Sequence, residues 1–196
     1  MHRDSFLPTH RLDPGVSIAQ AQPWSLTPVT LESPALAVMT DLTQVKAATT
    51  HRSTTLRQAE QLMIFQGVRM LFVVTDVPSF EGLITSTDLS SDKQMRAVHD
   101  RGVRYDDLCV GDVMTELHLV DAIDFADLRT AVVGNLVATL KRFGRTHLLV
   151  VEQASAAAPR RVRGVVSRAQ IERQLGQPID VTPIANSFSE IERALA

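Results

Sequence analysis

The sequence predicts a mixed α/β fold of the α+β kind: two pseudo-symmetric β-α-β-β-α units packed sheet to sheet, with an extended N-terminal arm and a short C-terminal helix. Three observations predict it. VMTDL at 38–42 returns as VMTEL at 113–117, 75 residues later. GLITSTD at 82–88 is echoed by GVVSRAQ at 164–170. Before each of these second words stands an apolar run, MLFVVT (70–75) or HLLVVE (147–152), which comes after a helical pattern stopped by glycine. A single unit would leave one face of its sheet exposed, whereas two units packed together bury it.

The arm, residues 1–34, carries Pro8, Pro14, Pro23, Pro28 and Pro34, which favour extended or irregular backbone, with Trp24 and Leu26 as anchors. It can cover an edge of its own domain or reach another subunit. The first unit with its connecting helix spans 35–107. Ser53 or Thr54 can cap a helix whose apolar positions Leu56, Ala59, Leu62 and Met63 recur at helical spacing, and Gly67 ends it. The strand MLFVVT, a turn-rich DVPSFE and the strand GLIT come next, and 89–107 reads as a polar helix and connector. The second unit spans 108–176, with a helix through Leu136, Val137 and Leu140 that stops at Gly144, then HLLVVE, a loop and VRGVVS. In the tail, 177–196, Ser187 and Glu190 form a capping box that opens a helix with Phe188, Ile191 and Leu195 on one side.

Composition limits the function classes. With 196 residues, 44% of them hydrophobic, the chain can bury a substantial core. A formal net charge of −2 and a pI near 6.3 give no global attraction to nucleic acid or an anionic membrane. No apolar run reaches the roughly 20 residues of a membrane span, and the N-terminus lacks the apolar core of a signal peptide. One cysteine, Cys109, cannot form an internal disulfide; its apolar surroundings fit a buried side chain in a reducing compartment, so the expected location is cytoplasmic.

The order VMT, helix, GVRMLFVV, GLITSTDL, then VMT, helix, GRTHLLVV, GVVSRAQI, resembles the tandem cystathionine-β-synthase (CBS) domain pair, or Bateman module, over about residues 36–175. The resemblance implies a regulatory module without catalysis that binds an adenosine-containing ligand in a cleft between its sheets and assembles into a homodimer through its CBS pair. AMP, ADP or ATP is the expected ligand, with S-adenosylmethionine or NAD as alternatives; the regulated protein is unknown. The ligand-binding residues it implies are Gly82, Ile84, Thr85, Thr87 and Asp88, with Arg69 and Met70 at the mouth of the preceding strand. A second site would use Ser167, Arg168, Arg145 and His147.

The chemistry of the first motif can be stated from its residues. A carboxylate accepts two hydrogen bonds at once, so Asp88 suits both hydroxyls of a ribose. Gly82 allows close approach of the ligand, and Thr85 can meet a phosphate near a helix start. The structural role for Thr87 or Asp88 is helix capping, and the two roles can coexist. In the second copy Gln170 replaces the carboxylate and gives up the charge-assisted bond, so a single occupied cleft is expected.

Other motifs point to no further chemistry. Asp121, Asp124 and Asp127 are spaced like carboxylates favouring a helix start more than like a cation site. The histidines lack zinc-site spacing, and neither a G-x-S-x-G elbow nor a P-loop occurs. The basic PRRVR (159–163) has no interleaved aromatics for nucleic acid. The competing reading is a ligand-free structural or interaction module that assembles through the CBS pair, the arm and the C-terminal helix.

Overall fold

The computed structural model describes residues 27–76, 79–155 and 157–181, together with residues 9, 11, 14 and 16. Trp24, Leu26 and the capping box at Ser187 and Glu190 lie outside the described residues. In the first unit β2 (Thr49–Thr50), α1 (Leu56–Gln66), β3 (Met70–Val74), β4 (Phe80–Thr85) and α2 (Lys93–Arg101) come after the strand β1 (Met39–Asp41). The second repeats this order with β5 (Thr115–Glu116), β6 (Ala122–Asp124), α3 (Phe125–Thr130), α4 (Val133–Phe143), β7 (His147–Glu152), β8 (Arg161–Ser167) and α5 (Arg168–Leu175).

Both helix stops fall where the sequence places them: Gly67 and Gly144 close α1 and α4 in the left-handed conformation, which costs a glycine nothing. The cap of α1 differs from the expectation of Ser53 or Thr54. Thr55 takes that place, accepting from the Gln58 amide while the Gln58 side chain accepts from the Thr55 amide. The Thr54 hydroxyl is used one turn earlier, by the amide of His51.

The strands form two four-stranded sheets, in the orders β1-β8-β7-β6 and β2-β3-β4-β5. Side chains alternate along each strand, as the period of two requires. Leu71, Val73 and Ile84 turn outwards to meet Leu56, Ala59 and Met63 of α1. Leu148, Val150 and Val166 meet Leu136, Leu140 and Ile171 of the second unit's helices. The alternate residues Met70, Phe72, Val74, Leu149 and Val165 face one another between the sheets, giving helix, sheet, sheet and helix layers.

The leading strand of each unit belongs to the other unit's sheet. β1 pairs antiparallel with β8, placing Asp41 opposite Gly164, and β5 pairs antiparallel with β4, placing Glu116 opposite Gly82. The segments before them cross as well: Ala35 and Val38 complete the core of the second unit, and Leu108, Val110 and Met114 that of the first. The segment that opens each repeat in sequence therefore packs into the core of the other unit. Local periodicity cannot reveal this, because it does not encode which distant strand becomes the neighbour.

The described part of the arm covers the second unit. Val29 donates to the Gln174 carbonyl (3.0 Å), Ala35 to Ala131 (2.9 Å), and Val133 to Ser33 (2.9 Å). The buried Gln174 side chain donates to the carbonyls of Thr27 and Ala37 at 3.1 and 3.2 Å.

Strand exchange explains the repeated Gly. A Cβ on Gly82 would overlap the Thr115 carbonyl oxygen and come within 2.6 Å of the Met114 methyl; one on Gly164 would lie 2.6 Å from the Met39 sulfur and 2.9 Å from the Thr40 oxygen. Gly82 thus admits the close approach of β5. Gly82→Ala is expected to lower unfolding stability by about 1–3 kcal/mol. Gly164→Ala should cost less, because the flexible Met39 side chain takes up most of the overlap. Urea unfolding of both variants checks this order.

Candidate functional site

Two cavities lie between the sheets, of about 780 and 330 Å³, both within the range of small-molecule sites. Each has walls from both units. Thr85, Thr87 and Asp88 line the smaller cavity together with Arg145, His147 and Arg168 of the second unit. Arg69 and Met70 line the larger one with His147, Ser167 and Gln170. The residues assigned from sequence to one site are therefore divided between two, and His147 borders both. Ile84 is buried in the core of the first unit and lines neither.

In both copies the hydroxyl that ends the second apolar strand caps the turn beyond it. Thr85 Oγ1 accepts from the Asp88 amide (3.2 Å), and Ser167 Oγ accepts from the Gln170 amide (3.1 Å). Thr85, rather than Thr87 or Asp88, is the capping residue. The Asp88 carboxylate closes the box by accepting from the amide and hydroxyl of Thr85 at 2.8 and 2.7 Å. Its other oxygen is paired with Lys93, and the residue is buried. Asp88 therefore borders the smaller cavity with three bonds already accepted within its own chain.

The cations of the smaller cavity are matched by carboxylates: Lys93 by Asp88, Arg145 by Asp121 at 3.0 Å, and Arg168 by Glu172 at 3.5 Å. The larger cavity differs. Lys46, in the connection from β1 to β2, and Arg69, between α1 and β3, make no ion pair among the described residues. Around them stand Leu42, Val45, Ala47, Val68 and Met70, giving a site with an apolar side and two cations outside any ion pair among the described residues, with Glu172 and Arg173 of α5 on the same cavity.

Gln170 borders the larger cavity but is committed elsewhere. Its oxygen accepts from Arg173 (2.7 Å) and its amide donates to Gln174 (2.8 Å), the residue that holds the arm. Thr40, Lys46 and Glu172 line this cavity and were not picked out by sequence reasoning. Lys46 had no motif to signal it, lying in the irregular DLTQVKAATT. Glu172 had one available: it stands one residue after the core residue Ile171 and so on a different face of the helix.

Among the described residues no group of three metal-ligating side chains converges, and no helix is long and apolar enough to cross a membrane. Asp121 and Asp124 face Arg145 and Arg160, at 3.0 and 4.0 Å. Cys109 is half-buried between the buried Leu108 and Val110, more open than its apolar neighbours suggest.

His147 has its Nδ1 3.0 Å from the Thr146 hydroxyl. Burial pulls its pKa from 6.5 down to about 4; the charge of Asp88 opposes this, and those of Arg69 and Arg168 add to it. The unfolded chain therefore takes up a proton below about pH 6.5 and the folded chain only below about 4. Stability from the neutral imidazole is complete above pH 6.5 and declines as pH falls towards 4. Chemical unfolding from about pH 7 to 4 should show this decline, and His147→Gln should flatten it; equal slopes would exclude His147 as its source.

No protein-family model matches the sequence, and neither does a curated protein. Among solved structures, the chain is similar to an uncharacterized conserved protein from Pyrococcus horikoshii, at 18% identity and a TM-score of 0.53, over 79% of this chain and 100% of that one. CBSX2, a CBS-pair protein of Arabidopsis thaliana, in a structure with AMP, aligns at 18% identity and a TM-score of 0.49 over 72% and 94% of the two chains. A conserved CBS domain protein of unknown function from Thermoplasma acidophilum aligns at 18% and 0.48 over 80% and 75%.

Proposed function

Starting from a chain with the fold of a tandem CBS pair, we propose that it is a regulatory module that takes an adenosine phosphate into its larger cavity and acts as a ligand sensor. The observation that carries this reading is the pairing of an apolar wall with Lys46 and Arg69, whose charges meet no carboxylate among the described residues. A guanidinium and an ammonium at one cavity suit a phosphate, and the apolar residues beside them suit a purine. The adenosine class itself rests on the sequence resemblance. A ligand touching both units would shift the module by its difference in affinity between their arrangements, which is all that sensing requires.

A specific observation favours a second reading. Asp88, Arg145, His147 and Arg168 surround the smaller cavity, so a ribose there would meet the Asp88 carboxylate and a phosphate the arginines. Asp88 and both arginines already have partners, so binding would have to displace bonds worth about 1 kcal/mol each at the buried Asp88 and less at the more exposed arginine pairs. The larger cavity asks for no such exchange.

Calorimetric titration with AMP, ADP and ATP distinguishes the two. On the larger-cavity reading, Arg69→Ala weakens binding at least about tenfold, about 1.4 kcal/mol, and Asp88→Ala changes it by less than about threefold. The reverse pattern favours the smaller cavity. If neither these nucleotides nor S-adenosylmethionine nor NADH raises the melting temperature, the ligand-free assembly module is the better reading.

A further inference from the structure

The chain beyond α5 passes from one cavity to the other. Gly176, Gln177 and Pro178 border the larger cavity, Ile179 is buried in the core of the second unit, and Val181 borders the smaller cavity. The Ile179 amide donates to the Glu172 carboxylate of α5 at 2.9 Å, which fixes this path. Residues 182–196, which lie outside the described residues, therefore set out from the wall of the smaller cavity.

That cavity has apolar surface left to cover. Lys93, Arg145 and Arg168 each face a carboxylate, so the charges on its wall are already answered. Beside them Leu83, Leu119, Val120 and Val181 line the cavity. Leu119 is 57% exposed, and Leu117, at the other end of the same short turn, is 49% exposed. Neighbouring leucines left in water at the rim of a cavity mark a surface that another apolar group covers.

The sequence of 182–196 suits that surface. Its capping box, Ser187 and Glu190, opens a helical pattern that sets Phe188, Ile191 and Leu195 on one side, while Glu192 and Arg193 fall elsewhere. Residues 182–187 reach up to about 20 Å when extended. The helix beyond them covers about 15 Å. Together they can bring the apolar stripe back across the mouth of a cavity of about 330 Å³.

We propose that this segment docks Phe188, Ile191 and Leu195 on Leu117, Leu119 and Val120 of its own chain and covers the smaller cavity. The larger cavity, which the chain has left behind by Pro178, stays open. The inference does not depend on what the larger cavity binds.

The test is maleimide labelling of the full chain carrying Cys109→Ala, with one thiol introduced at a time: Leu117→Cys at the rim, or Phe65→Cys on α1, where the native side chain is 89% exposed. Each is labelled with the native tail and with Phe188→Asp and Ile191→Asp together. The tail substitutions should speed labelling of Leu117→Cys about tenfold or more and leave Phe65→Cys within about twofold. With the native tail, the slow labelling of Leu117→Cys should be independent of protein concentration. A Leu117→Cys rate that the tail substitutions leave unchanged overturns the proposal. So does an acceleration at Phe65→Cys in place of Leu117→Cys, which would seat the tail on α1. Protection of Leu117→Cys that fades on dilution also overturns it, because the rim would then be covered by a second copy.

Discussion

The exchange of leading strands is the constraint on which the rest of the structure depends. β1 completes the sheet of the second unit and β5 that of the first, so neither sheet is whole without a segment that leads the other unit. The ion pairs at these seams reinforce them: Asp41 meets Arg163 at 2.8 Å, and Glu116 meets Arg52 at 2.8 Å. Burial alone would raise the pKa of Asp41, yet hydrogen bonds from Thr43 and the Arg163 charge hold it below the ordinary carboxylate value. The buried residues Ala35, Val38, Leu108 and Val110 fix the crossing segments by apolar contact, and each fully buried Leu or Val is worth about 1.5–3 kcal/mol.

The mixed parentage of both cavities follows from packing the two sheets face to face. The two sheets meet through Met70, Phe72, Val74, Leu149 and Val165, and the open space flanks that contact. Strand mouths from one unit consequently stand beside helix starts from the other. On the proposed reading, a ligand reports on how the two units sit together because its two ends rest on different units. α5 takes part in two ways: one face borders the larger cavity, and the other, through Gln174, holds the carbonyls of Thr27 and Ala37 in the arm.

Much of this was legible in the sequence where local physics decides. The strand predicted at 147–152 is β7 residue for residue, and Gly67 and Gly144 end their helices as read. Strand exchange was not legible, because nothing in VMTDL or VMTEL says which sheet its strand joins. A cue did exist in Gly82 and Gly164: glycine inside a strand marks close backbone approach. Its cause proved to be a crossing strand and a methionine. The partition of site residues was harder still. Asp88 and Arg69 lie 19 positions apart and border different cavities, since what joins them to their neighbours is the packing of two sheets. Gln170 was recognised as a departure from the first copy, but not its bond to Gln174 four residues along α5, nor that Gln174 holds the arm.

Sensing on this reading needs a ligand site that spans the two units where Lys46 and Arg69 stand across from α5. A crystal structure of the full chain grown with AMP tests it most directly. The expected result is density for the nucleotide in the larger cavity, its phosphate against Arg69 and Lys46. Density in the smaller cavity, against Asp88 and Arg145, or no nucleotide in either cavity at saturating AMP, would contradict it.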